Sequence, residues 1–318
     1  MNAVGIISGL ATALLWTATA VCFELSSRRL GSWTVNVLRL VLAMVLFLSL
    51  SMVRSHALLP VGLTWPMWRD LLLSGLIGFV VGDLLLFEAF VRVGARMSML
   101  IYASVPAMTA IGGFFWLGER MVLGKVLGMG VTVLGIALAV TAKGRQPSAL
   151  AVPSHGRWGI TLAIGGAVGQ AAGLLLAKHG ASGLDSFSAT SVRVLAGVSG
   201  FSALALISGK GKVILSTLMR AFARQRGVES ENAKVVPQLR RALGLMALGS
   251  VLGPFLGVSL GLHSMQLLPA GVASTLMSIV PVLLVPVSAV LFKERVGGRE
   301  WLGTTVALLG VSVLAFAK

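Results

Sequence analysis

The sequence predicts an all-α polytopic membrane protein, with ten transmembrane helices in two inverted five-helix repeats. Three observations predict it. The 318 residues are 56% hydrophobic and 11% charged, against about 25% charged in an ordinary soluble domain. Mean hydropathy is +0.94, so too few polar groups exist to cover a globule, and lipid is the expected solvent. Apolar runs of about 20 residues recur, each long enough for a hydrocarbon core of ~30 Å. The stretch 95–142 also returns 175 residues later: Pro106 falls on Pro281, Glu119 on Glu294, Arg120 on Arg295, Gly128 on Gly303 and Gly135 on Gly310. Glycine and apolar matches are cheap here. A proline and a Glu-Arg pair at one offset are not, because the chain has ten prolines and seven glutamates.

The runs lie at 4–24, 32–53, 70–90, 96–116, 122–142, 158–178, 185–208, 242–262, 270–291 and 298–317. The first lacks a basic leader and is long enough to span, so it is expected to stay rather than be cleaved. It carries Gly5, Gly9, Ala13 and Thr17 at four-residue spacing, and the sixth run carries Gly165, Gly169 and Gly173. That spacing makes one stripe where backbones approach closely. A second offset, 154 residues, pairs Arg39 of the second run with Arg193 of the seventh, Trp16 with Gln170, and Glu24 with Lys178. The longer break at 209–241 absorbs the difference between the two offsets. The third run holds Asp83 and Glu88, five apart and so about 140° around a helix, which separates them. The turns near 91–96 and 263–270 are marked mainly by Gly94, Pro269 and Gly271. Pro106 and Pro281 lie inside the fourth and ninth runs, where each is expected to kink its helix. Glu119-Arg120 and Glu294-Arg295 precede the fifth and tenth runs and read as turn and cap, the carboxylate meeting the positive end of the helix dipole.

The expected organisation is therefore a first repeat at 1–142, a linker at 143–157 and a second repeat at 158–318. With five helices per repeat, an odd number, the second copy enters the membrane from the opposite side. The segment 209–241 sets Ile214, Leu215, Leu218, Met219 and Phe222 on one face beside Arg220 and Arg224, as a basic amphipathic helix on an anionic leaflet would. A charged linker without helix is the alternative.

A net charge of +16 does not imply nucleic acid, because the basic residues sit in short breaks at headgroup depth. Eighteen Lys and Arg lie in the breaks on one side and six on the other, which predicts both termini outside. The single Cys22 excludes a disulfide framework and a cysteine metal site. His56, His155, His179 and His263 are scattered, and no HExxH, Walker A or GxSxG pattern occurs. No cofactor or metal is expected, and transport driven by this chain's own ATP hydrolysis is not supported.

The remaining signal is polar groups inside apolar runs. A central charge costs ~2.5–3.5 kcal/mol on insertion scales, so each needs a partner or a wet cavity. Trp16, Asn36, Arg39, Asp83, Glu88, Tyr102, Gln170 and Arg193 are the expected cavity residues. Arg39 and Arg193 would offer positive charge to a carboxylate or phosphate, or Arg39 would pair internally with Asp83 or Glu24. Asp83 or Glu88 would take a proton or an amine. Glu24, Lys178 and His263 sit near helix ends and are expected to snorkel. Pro106, Glu119, Arg120, Pro281, Glu294 and Arg295 are assigned structural roles.

The repeated pattern of small residues, apolar run, Pro, apolar run, Glu-Arg and spaced glycines, with GDLLLFEAF before it, resembles the EamA domain of the drug/metabolite transporter superfamily. The resemblance occurs once per repeat and covers nearly the whole chain. It implies ten helices in two inverted EamA-like repeats around a cavity open alternately to each side. It also implies a small-solute cargo, often moved outward, and both termini inside, opposite to the charge count. No catalytic residue set accompanies it. The expected function is secondary transport of an amino-acid-like, anionic or zwitterionic metabolite, as an exporter, in the cell membrane. The expected partners are the solute, the bilayer and protons as coupling ion, with no nucleic acid. A membrane-embedded enzyme acting on a lipid or isoprenoid is the alternative from another class, and a non-transporting scaffold leaves the repeat unexplained.

Overall fold

The computed structural model describes residues 2–141, 156–222, 232–291 and 296–316, and every regular element among them is helical. Helix α1 (Ala3–Leu30) is capped by the Asn2 side chain, which accepts the N–H groups of Val4 and Gly5 at 3.0 and 3.4 Å. Gly31, at φ 80°, turns the chain into α2 (Ser32–Ser55). Helix α3 (Trp65–Ser74), a π-helical segment Gly75–Gly82 and α4 (Asp83–Tyr102) follow without a break, then α5 (Val105–Leu117) and α6 (Leu123–Thr141). The second half holds α7 (Gly156–Gly180), α8 (Ser186–Ile207), α9 (Gly211–Phe222) and α10 (Asn232–Ser250). A π-helical segment Val251–Gly257 leads into α11 (Val258–Leu267), α12 (Ala270–Met277), α13 (Val280–Leu291) and α14 (Gly298–Phe316). Eight helical stretches among the described residues are long and apolar enough to cross a membrane, and Val105–Leu117 is a shorter apolar helix. The chain is an integral multi-pass membrane protein.

The two π-helical segments occupy equivalent places in the two halves. In the second, Pro254 has no N–H to give, and the wider π turn accommodates it. The stretch from Trp65 to Tyr102 contains a reversal. Leu86 packs beside Gly166, Gly82 beside Gly169 and Gly78 beside Gly173, so this part runs antiparallel to α7. Further along, Ile101 packs against the cluster that holds Ala89, Leu162 and Ala163, Val105 belongs to the cluster that holds Ala167 and Ala171, and Gly112 meets Leu175, so that part runs parallel to α7. The chain thus turns back between Leu86 and Ile101, so α4 is not one straight rod.

Two expectations about local structure need correction. Pro106 and Pro281 do not kink continuous helices. The helix stops at Ala103–Ser104 and again at Ser278–Ile279, and each proline lies in the first turn of the next helix, where its missing N–H costs nothing. Glu119 does not cap the helix that follows it, because α6 starts only at Leu123 and Glu119 reaches instead into the other half of the protein. Arg120 beside it is exposed. Glu294, Arg295, residues 143–155 of the linker and residues 223–231 of the basic segment lie outside the described residues. Within that segment α9 buries Ile214 and exposes Val213, Leu215 and Met219.

The halves interlock by equivalent contacts. Helices α6 and α14 cross antiparallel: Gly128 meets Leu314, Thr132 meets Gly310, Gly135 meets Ala307, and Ala139 meets Gly303. Each contact is matched by its equivalent under the 175-residue offset, which is the signature of a pseudo-two-fold axis between the helices. A Cβ on any of these four glycines would enter the partner's backbone. Likewise Gly78 on Gly173 matches Gly253 on Thr19, and Gly82 on Gln170 matches Gly257 on Trp16. The largest core cluster draws on both halves, including Leu71, Leu175, Val192, Leu262, Met265, Leu276 and Leu314.

Candidate functional site

A cavity of about 170 Å³ lies between the two halves. Trp16 of α1 and Gln170 of α7, near the middle of their helices, face it from equivalent positions. The α4–α5 junction contributes Tyr102, and Pro281 borders it from α13. The π-helical segments bring the chain close on both sides, with Phe79 from the first and Gly257 from the second. Hydroxyls come from Thr12, Ser274 and Ser278, and much of the remaining wall is apolar, with Met99 and Met277.

Among the described residues, Arg193 of α8 is the only Lys, Arg, Asp or Glu in the cavity wall. It is 3% exposed. Its Nε donates to Ser74 Oγ at 2.8 Å, and Ser74 Oγ donates to the Gly173 carbonyl at 2.5 Å. Its guanidinium lies over the Phe79 ring, 4.7 Å from the centroid. No carboxylate pairs with it among the described residues.

Its counterpart Arg39 sits differently. Arg39 Nη2 donates to Asp83 Oδ2 at 3.2 Å and the guanidinium lies over Phe23 at 5.5 Å. Neither Arg39 nor Asp83 lines the cavity, and neither does Asn36. Glu88 pairs with Arg92 one helical turn on, at 2.7 Å, with its side chain 48% exposed, also away from the cavity. The structure thus brings together Trp16, Tyr102, Gln170 and Arg193 and leaves the other four expected residues outside.

Polar contacts near the C-terminal end of α7 join the halves. Glu119 Oε1 pairs with Lys178 Nζ at 2.5 Å, and Glu119 Oε2 accepts the Ala270 N–H at 2.7 Å, capping α12. Lys178 Nζ also donates to the Leu268 carbonyl. Lys178 was expected to snorkel, but its charge is held inside this contact, with the side chain 17% exposed. Ser264 Oγ donates to the Gly5 carbonyl at 2.8 Å, and Asp70 Oδ2 meets His179 Nδ1 at 2.7 Å. Sequence reasoning missed Ser74, Phe79 and the Glu119–Lys178 pair. Serine and phenylalanine in apolar runs carry no signal, and two ends 59 residues apart in sequence cannot be joined without the fold. A second hollow, about 240 Å³, lies where α2 meets the start of α8 and holds Arg54 and Asp185 at 3.7 Å.

No curated protein matches the chain. A solved structure described only as a crystal structure of a protein superposes with a TM-score of 0.70 at 16% identity, covering 98% of this chain and 96% of that one. That likeness shows the fold alone. The EamA-like transporter family matches twice, at residues 3–141 and 157–316, one match per half. On those two matches, which together span most of its length, the chain belongs to the EamA-like transporter family.

Proposed function

We propose that the protein is a secondary transporter that carries a small anionic or zwitterionic solute through the central cavity by alternating access, with Arg193 binding the negative charge. The observation that carries this reading is a buried guanidinium facing a cavity with no carboxylate beside it among the described residues. Such a charge is costly in a low-dielectric interior unless a counter-ion arrives, and a solute anion supplies one. Ten crossings would be the eight spans plus two from the stretch that turns back between Leu86 and Ile101, and those eight spans support that reading. The antiparallel contact of α6 with α14 supports inverted topology for the repeats 1–142 and 158–318, joined by the linker 143–157. The helix breaks before Pro106 and Pro281 give each half a place to bend. Export is the direction the family resemblance suggests.

The test is binding and counterflow by the purified protein reconstituted in vesicles, against small organic anions and their neutral amides. Arg193→Gln is expected to weaken anion binding by about tenfold or more, which is ~1.4 kcal/mol or more. Anion affinity unchanged by Arg193→Gln removes the reading.

A further inference from the structure

The two halves treat their equivalent arginines unequally, and they differ in charge at one equivalent position. Under the 175-residue offset Asp83 corresponds to Val258. The contacts support that register independently, because Gly82 packs on Gln170 and Gly257 packs on Trp16, residues that are themselves equivalent. Asp83 and Val258 each come one residue later, at the end of a π-helical segment. In the first half Asp83 neutralises Arg39, and the pair stands off the cavity. In the second half Val258 lines the cavity together with Arg193 and offers no charge.

We infer that Val258 marks a counter-ion position left for the solute, so that the cavity selects monocarboxylates with an apolar body; this rests on the transport reading above. One buried cation balances one negative charge. A second carboxylate would be buried without a partner, and the ammonium of an amino acid would find no carboxylate in the wall among the described residues. The body of the solute would lie against Trp16, Phe79, Met99 and Met277, with Ser274 and Gln170 left to accept or donate hydrogen bonds. Placing a carboxylate at 258 would restore the internal pair seen at Arg39–Asp83 and close the site to anions.

The probes are phenylacetate, phenylacetamide and phenylalanine, which share a ring and differ in charge, titrated into the purified full chain. Wild type is expected to bind phenylacetate about tenfold tighter than either of the others. Val258→Asp is expected to weaken phenylacetate by about tenfold, and Val258→Asn by less than about threefold. Should Val258→Asp not fold, Val258→Cys in a Cys22→Ser background can be labelled after folding. A sulfonatoethyl thiol reagent is then expected to block phenylacetate, and a hydroxyethyl reagent of like size is not. Equal effects of the charged and neutral groups overturn the inference, as does tighter binding of phenylalanine. If Arg193→Gln abolishes phenylacetate binding while the charge at 258 has no effect, only this inference falls. If Arg193→Gln has no effect, the transport reading falls with it.

Discussion

Arg39 and Arg193 are equivalent in sequence and opposite in setting, and the difference is measurable. Arg39 and Asp83 are partly buried partners 3.2 Å apart, with side chains 18% and 22% exposed. Removing either charge alone leaves the other unpaired, so Arg39→Gln or Asp83→Asn is expected to destabilise by ~3–5 kcal/mol. The double variant should recover much of that loss, and thermal unfolding in detergent across the double-mutant cycle checks it. Independent, additive losses would show that the pair is not a unit. Arg193→Gln should behave in the contrary way, leaving stability unchanged or raised, since it removes an uncompensated buried charge. Four of the residues that the sequence singled out, Trp16, Tyr102, Gln170 and Arg193, line the cavity, and polar or amphipathic groups in a helix bathed in lipid tend to turn inward. The sequence could not sort them from Asn36, Arg39, Asp83 and Glu88. An inward group reaches either the cavity or a neighbouring helix, and the helix rotation that decides between these is set by packing.

At the scale of elements, glycine spacing was legible and its use was not. The stripe on α7 was expected to allow close approach, and Gly169 and Gly173 do meet Gly82 and Gly78 across the halves. The sequence does not say that these partners belong to a π-helical segment, since hydrogen-bond register within an apolar run leaves no compositional trace. The proline pair was found, but its break two residues upstream was not. A broken and a kinked helix share the same residue pattern. The reciprocal contacts of α6 and α14 make a prediction at this scale. Gly135→Leu and Gly310→Leu should each destabilise by several times the ~1–3 kcal/mol of ordinary overpacking, because the obstacle is backbone rather than a movable side chain. The two losses should be similar, and folded yield on size exclusion checks both. A tolerated Leu at either position would mean that the helices do not pack as described. Leu at Gly130, which faces open space on the same helix, is the control and should be neutral.

For the whole molecule, the class and the repeat were readable because lipid demands long apolar runs and because a duplicated Pro-to-Glu-Arg spacing is rare by chance. The interlocking of the halves was not readable, since α1 packs on the second π-helical segment and α7 on the first, far apart in sequence. The central claim is that equivalent helices face opposite ways. The most direct measurement is thiol labelling in whole cells. In a Cys22→Ser background, single cysteines replace Lys125 at the start of α6 and Arg299 at the start of α14. A membrane-impermeant thiol reagent is then added outside. The antiparallel pairing of these helices predicts that one of the two positions labels and the other does not, and the one that labels fixes the orientation. Labelling of both, or of neither, contradicts the inverted repeat and removes the basis for alternating access.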